Sequence, residues 1–514
     1  MIFSFKRFLI PAFGIALPLS AQLGPAPGGS SGTRAQQVPL SGRAQGSSVS
    51  IGQSTSGRPG SSSVNTLNST LQVQGDIQGS VPGGGPATQQ PLALTLSQAI
   101  GRGLQFNLSA VASANSQREA NAARLNARAQ LLPDINGDVR ETVQQTNLAA
   151  AGLRFSSIPV APGQPGFNFP NIVGPFNYFD VRANISQSIA DLTRLHNYRS
   201  SKESARSAAL TALDSRELIV LAVTGAYLQV IARQSSVDTA RAQIATAQVA
   251  YTQAVDRNKS GLNARIDVNR SLVELQTQQQ RLNSLLNDLA KDKISFARLI
   301  GLPQSQSLSL TDTQPFNPQD KVSGPDDLIK LAWDQRPDIR AARAQVHAAE
   351  EARKAATSEY LPSLSLNADY GVIGINPAQS HGTFSLTGTL HVPIFRSGRI
   401  DADVEQASAA MALRRAELED MKGRAEQDVR NALLDVDTAN EQIRLAESNR
   451  HLAADTLEQA GDRFRAGLAD TVELVQAQES QATAEQDYIS AMYSYQLARA
   501  GLARATGVAE KSIH

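Results

Sequence analysis

Two blocks of the chain repeat each other in register, and that repetition limits the fold more than any single motif does. "AARLNARAQLLP" at 122–133 matches "EARKAATSEYLP" at 351–362: Ala123, Arg124, Ala127, Leu132 and Pro133 recur at Ala352, Arg353, Ala356, Leu361 and Pro362. Further on, residues 226–302 align without gaps onto 432–508, with Leu228/Leu434, Gln253/Gln459, Arg257/Arg463, Gly261/Gly467 and Gly301/Gly507 among the shared pairs. A repeated body of this kind builds one supersecondary unit twice. The two offsets, 229 and 206 positions, differ because the first copy carries a longer insertion after Pro133.

That insertion marks where the strands lie. After Pro362, Leu364, Leu366, Ala368, Tyr370 and Val372 alternate with polar or small residues, and Phe384, Leu386, Leu390, Val392 and Ile394 do the same beyond "INPAQSHG". Period 2 on both sides of a turn-rich loop predicts a β-hairpin. The first copy offers "DINGDVRETVQQ" and "YFDVRANISQSI", where Phe179, Val181, Ala183, Ile185 and Ile189 alternate with Asp180, Arg182, Asn184 and Ser186. Its connecting loop, around 148–176, supplies the extra length. Each copy therefore reads helix, hairpin, helix, helix.

The helices are very long. No proline occurs from Phe176 to Leu302 or from Ile394 onward, and residues 192–259 suffice for one helix of about 100 Å. Alanine and glutamine dominate, leaving a narrow apolar stripe that suits coiled-coil packing rather than a thick core. "RNKSGL" and "RFRAGL" interrupt these helices at Gly261 and Gly467. A glycine followed by leucine and a polar restart predicts a C-cap and a tight reversal. Asn263 in the first copy, and Asp470 or Thr471 in the second, are placed to cap the returning helix, and Ser97 to cap the first helix of the body. Both tips then lie at one end of the molecule and both hairpins at the other.

The lysines and arginines (48) nearly balance the aspartates and glutamates (47), with no basic run that would mark a nucleic-acid partner. There is no cysteine, which excludes disulfides, thiolate chemistry and thiolate metal sites. Residues 1–21 have the form of a secretory signal: Lys6 and Arg7, then the apolar run Phe8–Leu19, then Ser20-Ala21. Residues 22–90, rich in Gly, Ser and Pro, are expected to be disordered. No later stretch has 18 consecutive apolar residues, so no transmembrane helix is expected. The six histidines are scattered. His347 sits one turn from Glu350 and Glu351, too few ligands for a metal centre, and no catalytic set can be assembled. No cofactor, metal or enzymatic activity is expected.

Four alternating strands in an exported chain have the length of tilted bilayer-crossing strands. Four cannot close a barrel, for which about eight is the minimum, so other subunits must complete it. In this arrangement the chain resembles the TolC-type outer-membrane efflux proteins. The resemblance rests on "LTLSQAI" at 94–100, "LLPDINGDV" at 131–139, "RPDIRAA" at 336–342, "YLPSLSLNADYG" at 360–371, "VPIFRSGR" at 392–399 and the two Arg-x-x-x-Gly-Leu tips, and it spans about residues 92–508.

The resemblance implies an α+β fold: a trimeric, 12-stranded outer-membrane β-barrel, four strands per chain, continued by a long periplasmic α-helical coiled-coil barrel. The first repeat is expected over 91–302, an equatorial connection over 303–335, the second repeat over 336–508 and a tail over 509–514. The implied function is a passive conduit of a tripartite efflux or type I secretion system, with a periplasmic adaptor (membrane-fusion) protein and an inner-membrane pump as partners. Phe179, Val181, Ile185, Phe384, Leu386 and Leu390 would face outer-membrane lipid. Arg257, Gly261, Leu262, Arg463, Gly467 and Leu468 would dock the adaptor. The family's acidic gate positions, six and nine past the tip glycine, hold Asp267 and Glu473, then Arg270 and Gln476. The basic linking position is Ala469 and the tyrosine position Phe464, so the gate residues expected are Asp267, Phe464 and Glu473, with a different closing link. The rival reading is a soluble periplasmic coiled-coil scaffold or adaptor.

Overall fold

The structure, a computed structural model, describes residues 48–56, 66–83, 90–150, 171–311, 324–466 and 468–512. The signal sequence, most of the 148–176 loop and Gly467 lie outside these. In chain order the strands are β1 (Ser48–Ser56), β2 (Thr66–Gln74), β3 (Leu92–Leu94), β4 (Asp134–Asn147), β5 (Ile172–Ala190), β6 (Leu308–Leu310), β7 (Ser363–Gly374) and β8 (Ser380–His391). The helices are α1 (Leu96–Phe106), α2 (Leu108–Ala129), α3 (Leu192–Lys259), α4 (Arg265–Leu299), α5 (Pro325–Gln335), α6 (Pro337–Ser358), α7 (Arg399–Arg465), α8 (Thr471–Ala505) and α9 (Ala509–Ser512).

The duplication holds at the level of element boundaries. Shifted by 229, α1 and α2 become α5 and α6 end for end; shifted by 206, α4 becomes α8. The second repeat therefore starts at Pro325, not at residue 336: α5 is the image of α1 rather than part of a connection. Within the expected tail, residues 509–512 form α9, with Ala509 buried against α3.

Helices α3 (68 residues) and α7 (67 residues) each extend about 100 Å. Near the hairpins they run beside α2 and α6, and toward the tips beside α4 and α8. The seam is of coiled-coil type: Val429, Ala432, Val436, Ala439, Ile443 and Ala446 of α7, spaced alternately three and four apart, are all buried. Small alanines there keep the helices close without building a broad core.

Midway, the long helices thicken into a girdle. Ile219, Val220, Val223 and Tyr227 of α3 pack with α1, β3, the parallel β3–β6 pair and Phe296 of α4. Tyr227 meets Phe296 edge-on at 5.9 Å and donates its hydroxyl to the Leu94 carbonyl. Helix α3 contains a stretch long and apolar enough to cross a membrane, but 61% of that stretch is buried in the protein. The girdle also recruits part of the segment expected to be disordered. β1 and β2 pair antiparallel, and Ile77, fully buried, joins the core. A side chain on Gly225 would strike Leu71, and one on Gly501 would crowd Ile51; these two glycines admit the hairpin. The first helix of the body is capped by Thr95, in a capping box with Gln98, not by Ser97.

Candidate functional site

The sheet runs β4-β5-β7-β8, antiparallel throughout. Its registers align rows of side chains across all four strands, since residues opposite one another point to the same face. Ile135, Ile185, Ala368 and Leu386 form one row; Gly137, Ala183, Tyr370 and Phe384 the next; Val139, Val181, Val372 and Gly382 the next. The intervening rows are polar: Asp138, Arg182, Gly371 and Thr383; Asn136, Asn184, Asp369 and Ser385; Asp134, Ser186, Asn367 and Thr387. One face is thus apolar and the other hydrophilic.

The apolar face is open. Val139, Phe384, Leu386 and Leu390 are each more than 60% exposed, an arrangement that costs stability in water and gains it in hydrocarbon. All six residues expected to face lipid lie in register with it, Phe179 opposite Glu141 at its outer end. The polar face is internally bonded: Arg182 pairs with Asp180 and Asp369, and Asn184 donates to Asp138 at 2.7 Å. The outer strands β4 and β8 each have one partner among the described strands.

At the far end, the sequence Arg-x-x-x-Gly-Leu has a geometric meaning. Gly261 adopts φ +73°; its N–H bonds the Asn258 carbonyl at 3.0 Å, and the Leu262 N–H bonds the Arg257 carbonyl at 2.8 Å. These are the two bonds of a Schellman motif. In the second copy the Leu468 N–H reaches the Arg463 carbonyl at 2.8 Å. The arginine thus supplies the carbonyl that receives the chain as it leaves the helix. Leu262 and Leu468 stand 71% and 74% exposed. Asp470 caps α8 as expected, accepting from the Glu473 N–H. Asn263 does not cap α4: Ala264 occupies that position without a side-chain bond, while the Asn263 carbonyl accepts from Asn258.

The expected gate residues fall into two groups. Phe464 is 2% exposed, packed with Ala250 and Leu474, so its ring serves a joint between helices. Asp267 and Glu473 are accessible, but each already holds an arginine: Arg270 at 3.5 Å and Arg463 at 3.1 Å. The contact that fixes Phe464 is invisible in the sequence. Arg257 lies 4.8 Å over its ring and donates to its carbonyl at 2.6 Å.

Two further polar clusters bind the shaft. Arg336, at the start of α6, bonds Asp338 (2.8 Å), Asp428 of α7 (2.9 Å) and the Ala505 carbonyl of α8. Arg504 pairs with Asp214 of α3, and Glu217 accepts the Ala509 N–H. Burial pushes the Asp214 and Glu217 carboxyls upward against the charge of Arg504. At Asp338 burial acts in the same sense but is outweighed by Arg336, whose hydrogen bonds and charge hold the carboxyl below its ordinary range. Glu350 and Glu351, beside His347, engage Arg415 of α7 and His196 of α3; they are interhelix links. Asn107, missed in the sequence, joins α1 to α2 and donates to the Ile77 carbonyl at 2.7 Å, tying the N-terminal segment to the girdle.

Known proteins share this arrangement. The pyoverdine export outer membrane protein OpmQ of Pseudomonas aeruginosa is 24% identical over 76% of this chain and 80% of its own length. Its Pseudomonas putida counterpart is 26% identical, the match covering 59% of this chain and 66% of that protein. Outer membrane protein TolC of Vibrio cholerae is 24% identical over 63% of this chain and 75% of its own length. Among solved structures, the Campylobacter jejuni CmeC outer membrane channel superposes with TM-score 0.69 at 17% identity, over 86% of this chain and 95% of that one. VceC of Vibrio cholerae gives 0.66 at 18%, over 80% and 96%. The model of the outer membrane efflux proteins matches residues 100–302 and 328–508, nearly all of both repeats, and the chain belongs to that family.

Proposed function

We propose that three copies of this chain form an outer-membrane channel, with a 12-stranded barrel in the membrane and a helical tunnel through the periplasm. It acts as a passive conduit, not an enzyme, in a tripartite efflux or type I secretion system; an inner-membrane pump selects the cargo. The observation that carries this reading is the sheet itself. Its apolar rows cross all four strands without interruption, its reverse face is polar, and the outer edges of β4 and β8 have no partner among the described strands. Closure by lipid on one side, water on the other and further copies at the edges satisfies all three features.

The duplication supports a closing register. Ile185 of β5 lies opposite Ala368 of β7. The matching hairpin pairs Ile135–Ile185 and Leu364–Leu390 make Leu390 the image of Ile185, and Val139 that of Ala368. Leu390 of one copy then lies opposite Val139 of the next, and both fall on the apolar face. The exposed tips Leu262 and Leu468, with Arg257, Gly261, Arg463 and Gly467, form the surface for a periplasmic adaptor. Asp267 and Glu473 line the constriction.

Purified protein in planar bilayers tests the reading. A trimer that inserts and conducts in discrete steps is expected. A monomer recovered from the soluble periplasmic fraction, without conductance, supports the scaffold reading instead.

A further inference from the structure

The geometry points to a binding site for a phosphate-class oxyanion on the helical shaft, in a basic cavity between α3 and α6. The site lies about 20 Å along α3 from its start at Leu192. It is built within one chain and does not depend on how copies assemble.

Arg206 and Leu210 of α3, with Arg340, Arg343, Ala344 and His347 of α6, line a cavity of about 110 Å³. That is room for several waters or one tetrahedral oxyanion. The floor is apolar, since Leu210 packs with Ala341 and Ala344. Every polar side chain in the wall is basic, and no carboxylate lines it. Other arginines of this shaft are matched by acids: Arg336 holds Asp338 and Asp428, and Arg415 holds Glu350. The side chains of Arg340 and Arg343 have no hydrogen-bond or ion-pair partner among the described residues. Arg206 approaches Glu203 of its own helix at 3.6 Å, and His347 Nδ1 lies 3.2 Å from Glu350.

Two features set these cations apart from an ordinary solvated face. Arg340 sits three residues after Pro337, in the first turn of α6, where the helix dipole is positive and favours an anion over a cation. The duplication also shows that the helix pair does not need them. Shifted by 229, Arg340 and Arg343 correspond to Val111 and Ala114 of α2, and the first repeat forms the same helix without the two charges. Unmatched cations gathered at the positive end of a helix repel one another, and a bound anion offsets both costs.

The donor set selects the ligand. A guanidinium fork pairs bidentately with the oxygens of a phosphate, and several forks around one cavity suit an ion with oxygens on every side better than a carboxylate. No aromatic side chain lines the cavity, so a nucleobase would find no stacking platform. The group recognised is the phosphate itself, as the inorganic ion or a small monoester.

The test is calorimetric titration of the full-length detergent-solubilised protein at low ionic strength, with inorganic phosphate, glycerol 3-phosphate and acetate. We expect saturable binding of one phosphate group per chain and none of acetate. Arg343→Ala should weaken binding about tenfold, and Arg340→Val with Arg343→Ala should abolish it. These are the residues α2 already carries, and ligand-free melting checks that the variants fold. If they melt early, Arg206→Gln, exposed on α3, gives the same readout with an expected several-fold loss. Tighter binding of the inorganic ion identifies the ligand as free phosphate, and tighter binding of the ester as a phosphorylated solute. Absence of saturable binding by either, equal affinity in the folded variants, or acetate binding as well as phosphate overturns the inference.

Discussion

Replacing Leu386 by arginine places a charge in the middle of the apolar face. Leu386 lies in the row Ile135–Ile185–Ala368–Leu386, near the centre of β7 and β8, and is 69% exposed in the single chain. If that face meets hydrocarbon, the substitution costs about 2–4 kcal/mol per chain at the bilayer midplane. That is roughly 30- to 900-fold in each chain's folding equilibrium. In a trimer the cost falls three times on one barrel. The control is Ser385→Arg, one residue away on the polar face beside Asp369, where an arginine costs little. Both variants are extracted from outer membranes, and the temperature at which the trimer band collapses is read on gels. A marked drop is expected for Leu386→Arg and near-wild-type behaviour for Ser385→Arg. Equal stability of the two, or the opposite order, would refute the assignment of faces.

Other outcomes follow from the tips and the shaft. Gly261→Ala meets no neighbouring atom, so its cost is the φ of +73° alone, about 1 kcal/mol, measurable as earlier thermal melting. Leu262→Asp, at an exposed tip, should alter stability by less than about 0.5 kcal/mol yet abolish co-purification with the adaptor; unchanged co-purification removes Leu262 from the docking surface. Arg336→Ala leaves the half-buried Asp338 without its partner and should cost about 3 kcal/mol, read as trimer melting. Because the Asp338 carboxyl is held below its ordinary range, its ionised form adds stability above about pH 4 that is lost as pH falls through the lower folded value. Asp338→Asn should therefore be less stable at neutral pH and show a shallower acid-side decline. Glu473→Gln frees Arg463 and should shift ion selectivity away from cations; unchanged selectivity and divalent-cation block place Glu473 outside the constriction.

Much of this architecture is legible in the sequence because repetition and periodicity are local signals. The long helices, the strand faces and the tip reversals follow from spacing between residues such as Arg257 and Leu262, or Val181 and Ile185. What escaped reading depends on distant partners. Ile51 and Leu71 are isolated apolar residues in a Gly- and Ser-rich stretch, and only the space left at Gly501 and Gly225 shows why they order. Thr95 displaced Ser97 as a cap because Gln98 stands three residues after it, completing the reciprocal pair. Asn263 lost its capping role because Asn258 holds its carbonyl. The Arg257–Phe464 joint spans 207 positions, and nothing in either tip taken alone announces it.

The most direct measurement is disulfide trapping of the proposed closing register in intact outer membranes. With Val139→Cys and Leu390→Cys in one otherwise cysteine-free chain, oxidation should yield covalent dimers and trimers on non-reducing gels, reversed by reductant. Chains that stay monomeric after oxidation, while a pair on the two inner strands such as Ile185→Cys with Ala368→Cys forms its bond, would mean that these edges do not meet and that the chain closes no shared barrel.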